Sequence, residues 1–266
     1  MGKNKILKFD EISGFPHVFQ YPFAKLQAEG FDMKGVWNEN FFGNTNPIVL
    51  ELGCGKGEYT VGLAQAFPEK NFIGIDIKGA RMWSGARESF KAGMTNVAFL
   101  RINIELIDSF FAPNEVDEIW LTFPDPQMKK YNKRLTSSPF MKLYSQIMKR
   151  NGLVHLKTDS KFLYSYTLEM LKANQLPILH RIEDLYQSNE VDQFLNIRTF
   201  YEQQWLARGI TIKYICFVCE HRRNYIEPEI EIEWDGYRSF NRGRLNSLSM
   251  GGASLSNTND ANESIS

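Results

Sequence analysis

The chain has 266 residues, 43% of them hydrophobic, with 31 basic and 31 acidic side chains. This length supports one large core or two small ones, and a formal net charge of zero gives no hint of a polyanion partner, so the local distribution of charge must carry that argument. Three cysteines, Cys54, Cys216 and Cys219, are too few and too uneven for a disulfide framework and point to a reducing compartment, the cytoplasm. No apolar run approaches the ~20 residues that span a bilayer, and the charged N-terminus MGKNKILKFDE lacks the apolar stretch of a signal peptide. No membrane partner is expected.

In chain order, residues 1–45 are aromatic-rich and irregular (FPHVFQYPF) and are expected to pack on the main domain or to form part of its site. From residue 48, short apolar runs alternate with helical patterns. The runs are IVLEL (48–52), NFIGID (71–76), VAFLRI (97–102), EIWLTF (118–123), LVHLKT (153–158), PILHRI (177–182) and TIKYICFVCE (211–220). Helices fit over 57–66, 79–91, 138–149, 161–173 and 189–207. The alternation predicts an α/β fold over 46–240: a seven-stranded, mostly parallel sheet with helices on both faces. The last run follows closely on another strand and is expected to be antiparallel. Residues 241–266, rich in Ser, Asn and Gly, read as a disordered tail. Cys216 and Cys219 form a C-x-x-C inside an apolar strand. Alternation puts them on opposite faces, and no second pair completes a zinc site. They read as core thiols, and no metal is expected.

The sequence ELGCGKG (51–57) follows the first of these runs and opens a helix. A tight strand-to-helix turn alone would use glycines in this way. A dinucleotide fingerprint would need its third glycine later, and a phosphate loop would need Ser or Thr after Lys. Glu51 would repel a pyrophosphate. Asp76 ends the second run, where a carboxylate can accept both hydroxyls of a ribose. Two acids and a glycine turn suit a cofactor with a ribose, a positive charge and no phosphate: S-adenosylmethionine. Asn103, after the third run, can bond an adenine edge. The arrangement resembles the Rossmann-like class I methyltransferases. Gly53 and Gly55 join Glu51, Asp76 and Asn103 as expected cofactor residues.

FPDP (123–126) ends the fourth run, at the carboxyl side of the sheet where open α/β sheets bind ligands. Two prolines restrict Asp125, although an Asp in such a turn can simply bond its own backbone. Between Asp125 and Asp159 there is no acidic residue, whereas Lys129, Lys130, Lys133, Arg134, Lys142, Lys149, Arg150 and Lys157 all fall there. Basic charge so placed suits a polyanion, with a solvated helix face as the simpler account of Lys142, Lys149 and Arg150. Asp159 closes the fifth run, and Thr199 and Glu202 stand in RTFYEQQWLARG before the last strand.

With these motifs in order, residues 47–220 resemble the bacterial tRNA (guanine-N7)-methyltransferases. The resemblance rests on ELGCGKG, GID, FPDP followed by KKYNKR, KTD, and the T-x-x-E of TFYE. It implies methylation of guanine N7 in the variable loop of tRNA. Glu51, Gly53, Gly55, Asp76, Asn103 and Asp125 would hold S-adenosylmethionine, with Asp125 also at the reacting centre. Lys129, Asp159, Thr199, Phe200, Tyr201 and Glu202 would contact tRNA. The chain departs from the family pattern at Asn103 (commonly Asp), at Gln127 (commonly Trp) and in TFYE. Methylation of an exocyclic amine on another base, or nucleic-acid binding without catalysis, are the competing readings. The sequence fits a monomer or a homodimer equally.

Overall fold

The computed structural model describes residues 3–188 and 194–236. The expected tail at 241–266, and residues 189–193 of the helix expected over 189–207, lie outside them. Chain order begins with α1 (Lys3–Ile12), β1 (Val18–Gln20) and α2 (Phe23–Glu29). It continues with β2 (Ile48–Leu52), α3 (Glu58–Ala66), β3 (Asn71–Ile75), α4 (Gly79–Lys91), β4 (Val97–Arg101) and β5 (Val116–Thr122). The second half carries α5 (Ser138–Ile147), β6 (Met148–Thr158), α6 (Lys161–Ala173), β7 (Ile178–Ile182), α7 (Phe200–Leu206) and β8 (Lys213–Cys219).

One sheet holds all eight strands in the order β1-β4-β3-β2-β5-β6-β8-β7. β8 is antiparallel to both its neighbours, and the remaining pairs are parallel. Every residue of β2 and β3 is buried, the state that unbroken apolar runs reach when helices cover both faces. Cys216 and Cys219 are buried free thiols on β8. Burial pushes them up to about 11 and about 12 respectively, which leaves them as packing groups rather than nucleophiles.

The expected seven strands become eight because the N-terminal segment supplies one. Val18–Gln20 pairs with Phe99–Arg101 at the sheet edge, where it covers backbone groups that would otherwise stand open. Three residues between Pro16 and Pro22 show no period, so this strand escapes a pattern reading. Aromatic packing anchors the rest of the segment: Trp37 is fully buried, lies near Phe19, Phe31 and Phe111, and donates from Nε1 to Phe110 O at 3.0 Å. A single carboxylate, Glu115, accepts from the amides of Gly35, Trp37 and Ala112 and so satisfies irregular backbone that no strand partner serves.

The chain leaves β2 toward β3 and β4 on one side and enters β5 and β6 on the other. The gap between the carboxyl ends of β2 and β5 is therefore the topological switch point, where open α/β sheets take their ligands.

Candidate active site

On the β2 side, Gly53, Gly55 and Gly57 all have positive φ (79°, 57° and 74°). Gly57 is forced by packing, because a Cβ there would stand 2.6 Å from Phe99 Cε1. Gly53 is different: a Cβ would meet nothing within 4 Å, so the backbone faces open space and forms a shallow cradle. Asp76, half-buried after β3, fixes the loop from beside it. Its Oδ2 accepts from Gly55 N (3.0 Å) and its Oδ1 from Lys78 N (2.7 Å).

Glu51 is buried below the cradle. It accepts from Thr60 N at 2.8 Å, and the hydroxyls of Thr60 and Thr122 also donate to it. Burial raises its carboxyl to about 7; the threonine hydrogen bonds oppose the shift, and Asp76 adds to it. Because Thr122 ends β5, this carboxylate bridges the two sides of the switch point.

On the β5 side, Phe123 (φ 50°) and Gln127 (φ 47°) both take left-handed backbone, a conformation that costs a non-glycine residue free energy. Asp125 lies exposed between them, and its Oδ1 accepts from Gln127 N at 3.0 Å. The loop is gripped from beneath by Arg134, which is buried. Arg134 Nε donates to Pro126 O (3.0 Å), and Nη2 donates to Gln127 O (3.0 Å). The guanidinium lies 3.8 Å from the ring centre of Tyr166. Arg134 therefore holds the loop's backbone and does not face an incoming phosphate.

A third piece, residues 194–206, crosses from β6 to α3. Thr199 caps α7, its Oγ1 accepting from Glu202 N at 3.1 Å; the T-x-x-E spacing is that of a helix capping box. Glu202 is fully buried and ion-paired to Lys157 at 2.9 Å, and it also accepts from Tyr186 Oη at 2.5 Å. Lys157 donates further to Leu195 O and Ile197 O. Burial pulls its ammonium below the ordinary lysine value, and Glu202 opposes that pull. At the other end, Glu58 accepts from Phe200 N and Tyr59 Oη donates to Phe194 O. Phe200 is exposed, and Tyr201 packs 5.9 Å from Phe123.

Glu51, Gly53, Gly55 and Asp76 lie together on the β2 side of the switch point, and the loop after β5 that carries Asp125 is joined to them through the Thr122–Glu51 hydrogen bond. Asn103 is exposed at the head of the 3-10 turn Ile104–Ser109, with no side-chain capping bond. Asp159 is buried directly after β6. The basic run divides by fate. Lys129 and Lys130 are exposed, whereas Lys133 pairs with Glu105 (2.6 Å) and Lys149 with Asp117 (2.8 Å). Arg134 and Lys157 are buried, which removes them from the surface patch expected from sequence. His155, mid-strand in β6, stacks on Trp120 at 4.0 Å and shares a hydrogen bond with Tyr214 Oη. Burial lowers it to about 3, so it is neutral and structural.

Comparison with known proteins places this arrangement. A family model described as "Putative methyltransferase" matches residues 45–215. A tRNA (guanine-N(7)-)-methyltransferase of Bacteroides fragilis (strain YCH46) is 59% identical over 248 residues, covering 93% of this chain and 98% of the relative. The chain belongs to the tRNA (guanine-N(7)-)-methyltransferase family. A relative of the same name from Porphyromonas gingivalis is 62% identical, covering 86% of this chain and 96% of its own. Among solved structures, the 16S rRNA methyltransferase KamB aligns with a TM-score of 0.53 over 75% of this chain and 94% of its own, at 11% identity; the two share a fold.

In this methyltransferase, four residues that position the site were not singled out as such from sequence: Thr60, Thr122, Arg134 and Lys157. Lys157 left one trace, a lysine inside a strand whose other residues predict burial on both faces. Arg134 left none, since nothing local distinguishes it from the lysines before it.

Proposed function

We propose that the protein transfers a methyl group from S-adenosylmethionine to N7 of a guanine in the variable loop of tRNA. One observation carries the reading: in a chain of this family, an exposed, loop-fixed Asp125 stands across the switch point from an open glycine cradle flanked by Glu51 and Asp76. The donor set suits S-adenosylmethionine. Open backbone at Gly53 admits the ligand, Asp76 can accept from ribose hydroxyls, and Glu51 offers negative charge to an ammonium. Asn103 is exposed within reach of solvent for an adenine edge. When bound, the cofactor supplies an electrophilic methyl group on a sulfonium.

Guanine N7 is an exposed lone pair with no proton to lose, so no general base is needed, and a neutral, buried His155 is consistent with that. The chain's contribution is alignment, which can supply about 7–11 kcal/mol in well-oriented systems. The Asp125 carboxylate would add electrostatic stabilisation of the positive charge that develops on the purine. One Asp125 oxygen is held by Gln127 N, and among the described residues no other hydrogen bond restrains the carboxylate.

Lys129 and Lys130 suit phosphate contacts, and Phe200 and Tyr201 present aromatic surface on the segment that crosses the crevice. Asp159 and Glu202 are buried, so a guanine edge would reach either one only with neighbouring chain moved aside. Thr199 serves as the cap that shapes α7. No helix among the described residues is long and apolar enough to cross a membrane, which suits an enzyme working beside its RNA in the cytoplasm.

The test is methyl transfer from labelled cofactor to tRNA, with nucleoside mass spectrometry to locate the product at guanine N7. Asp125→Ala and Asp125→Asn are expected to lose most activity and to weaken S-adenosylmethionine binding. Activity within about twofold of wild type would remove Asp125 from the reaction, and a product other than N7-methylguanosine would overturn the substrate assignment.

A further inference from the structure

The loop that carries Asp125 has a second face. Past Met128 the chain runs by Tyr131 to Arg134, and the segment 226–234 returns beside it. Together they enclose a cavity of about 470 Å³. The returning segment lines it with the apolar side chains of Pro228, Ile230, Ile232 and Trp234 and with Glu227 and Glu231. The floor is internally satisfied. Arg134 is stacked on Tyr166 and Phe162. Glu227 accepts from Tyr166 Oη and from both Ser138 N (3.1 Å) and Ser138 Oγ (2.8 Å). The rim is exposed. Tyr131 is 53% and Trp234 55% exposed, large aromatic surface for a soluble domain to leave open. Lys129 Nζ stands 5.5 Å from the Trp234 ring centre, and Lys130 is exposed next to it.

We propose that this cavity is a stacking subsite for an unpaired nucleobase of the RNA substrate, with Trp234 and Tyr131 as the aromatic faces and Lys129 and Lys130 on the adjoining phosphates. The proposal rests on the RNA-methyltransferase reading and deepens it by naming where a nucleotide other than the reacting guanine is held. Aromatic platforms beside exposed cations are how proteins hold single-stranded nucleic acid, because every base has a π-face and every linkage a charge. The glutamates of the returning segment set the direction of entry. Glu229 and Glu233 are exposed and Glu231 lines the cavity, so phosphates are repelled from that side and kept on the lysine side. Glu231 can accept from a base N–H. The family model ends at residue 215, so half of this subsite is built on chain beyond the matched methyltransferase core.

The experiment uses the full-length protein with Trp234→Ala, Trp234→Phe and Tyr131→Ala. Three quantities are measured: tRNA affinity by fluorescence anisotropy, S-adenosylmethionine affinity by calorimetry, and tryptophan quenching by a short single-stranded RNA. Trp234→Ala is expected to weaken tRNA binding by about 5- to 150-fold, the equivalent of about 1–3 kcal/mol of base stacking. Trp234→Phe should stay within about threefold, and cofactor affinity should not change in any variant. The oligonucleotide should quench wild-type emission more than that of Trp234→Phe, a readout that survives even if the alanine variant folds poorly. If tRNA affinity in folded Trp234→Ala stays within twofold of wild type, or if quenching is the same with and without Trp234, the subsite is overturned even though the enzyme methylates tRNA. If Trp234 proves essential for binding but the wild type transfers no methyl group, the functional reading fails and the subsite stands.

Discussion

Removing one partner of the Lys157–Glu202 pair should cost far more than removing both. Both side chains are fully buried, and all three ammonium hydrogens of Lys157 have acceptors: Glu202, Leu195 O and Ile197 O. Glu202→Ala strands a buried ammonium and Lys157→Met strands a buried carboxylate. Either is expected to destabilise the protein by about 3–5 kcal/mol, a large share of the about 5–15 kcal/mol available to a domain. The double variant Lys157→Met/Glu202→Leu removes both charges and keeps the volume. It orphans Tyr186 Oη and two carbonyls, each worth about 1 kcal/mol, so it should lie about 1–3 kcal/mol below wild type. The implied coupling is about 3 kcal/mol or more. Because the pair ties residues 194–206 to β6, the single variants should also expose that segment to limited proteolysis. Urea unfolding of the four proteins measures the cycle. In Glu202→Ala the penalty should shrink as pH rises, since burial already pulls Lys157 below its ordinary value and a neutral amine is easier to bury. Single variants within 1 kcal/mol of wild type, or a double variant equal to the sum of the singles, would refute the reasoning.

Glu51 supplies a pH prediction. Its carboxyl is raised to about 7, so in the unliganded protein its contribution to stability is greatest below its unfolded value and is lost as pH rises through about 7. An ammonium bound beside it favours the ionised form, so S-adenosylmethionine binding at pH 6.5 should release a proton and weaken by up to about tenfold per pH unit below 7; calorimetry in two buffers counts the proton, and zero release would refute it. Arg134→Lys should lower stability by about 2 kcal/mol, because a single ammonium on a shorter-reaching, non-planar head replaces the two nitrogens that serve Pro126 O and Gln127 O. It should also slow methyl transfer without altering cofactor affinity, and an unchanged melting temperature and rate would exclude the grip. Lys129→Ala and Lys130→Ala should each reduce the slope of log K against log salt for tRNA by about 0.7–0.9, whereas Lys133→Ala, already paired with Glu105, should change it less; equal slopes for all three variants would show that the pairing does not matter.

What was legible in the sequence was whatever depends on neighbours along the chain. The runs that became β2 and β3 read as doubly covered strands because their residues are apolar or small apart from Glu51 and Asn71. Glu51, Asp76 and Asp125 read as candidate site residues because they stand at or just after strand carboxyl ends, which the fold class puts together. β1 did not read, since three residues between prolines acquire their meaning only from Phe99–Arg101, far away in sequence. Lys157 read only as a lysine out of place in a buried strand, because the partner that makes its burial possible, Glu202, is 45 residues on.

The basic run after FPDP shows the limit most sharply, since Lys129, Lys130, Lys133 and Arg134 carry the same charge within six residues and meet three fates. What separates them is the backbone they adjoin. Left-handed conformation at Gln127 turns the chain so that the carbonyls of Pro126 and Gln127 point inward, away from water, where they need donors. A planar fork reaches the two carbonyls with separate nitrogens, Nε and Nη2, from one buried side chain, whereas a lysine would have to bring both to a single ammonium. Arginine at position 134 therefore serves the backbone of the loop that carries Asp125, while Lys129 and Lys130 stay exposed. The charge cluster that reads as a single RNA-binding patch is physically two groups, Arg134 fixing the backbone of the loop that carries Asp125 and Lys129 and Lys130 left on the exposed surface.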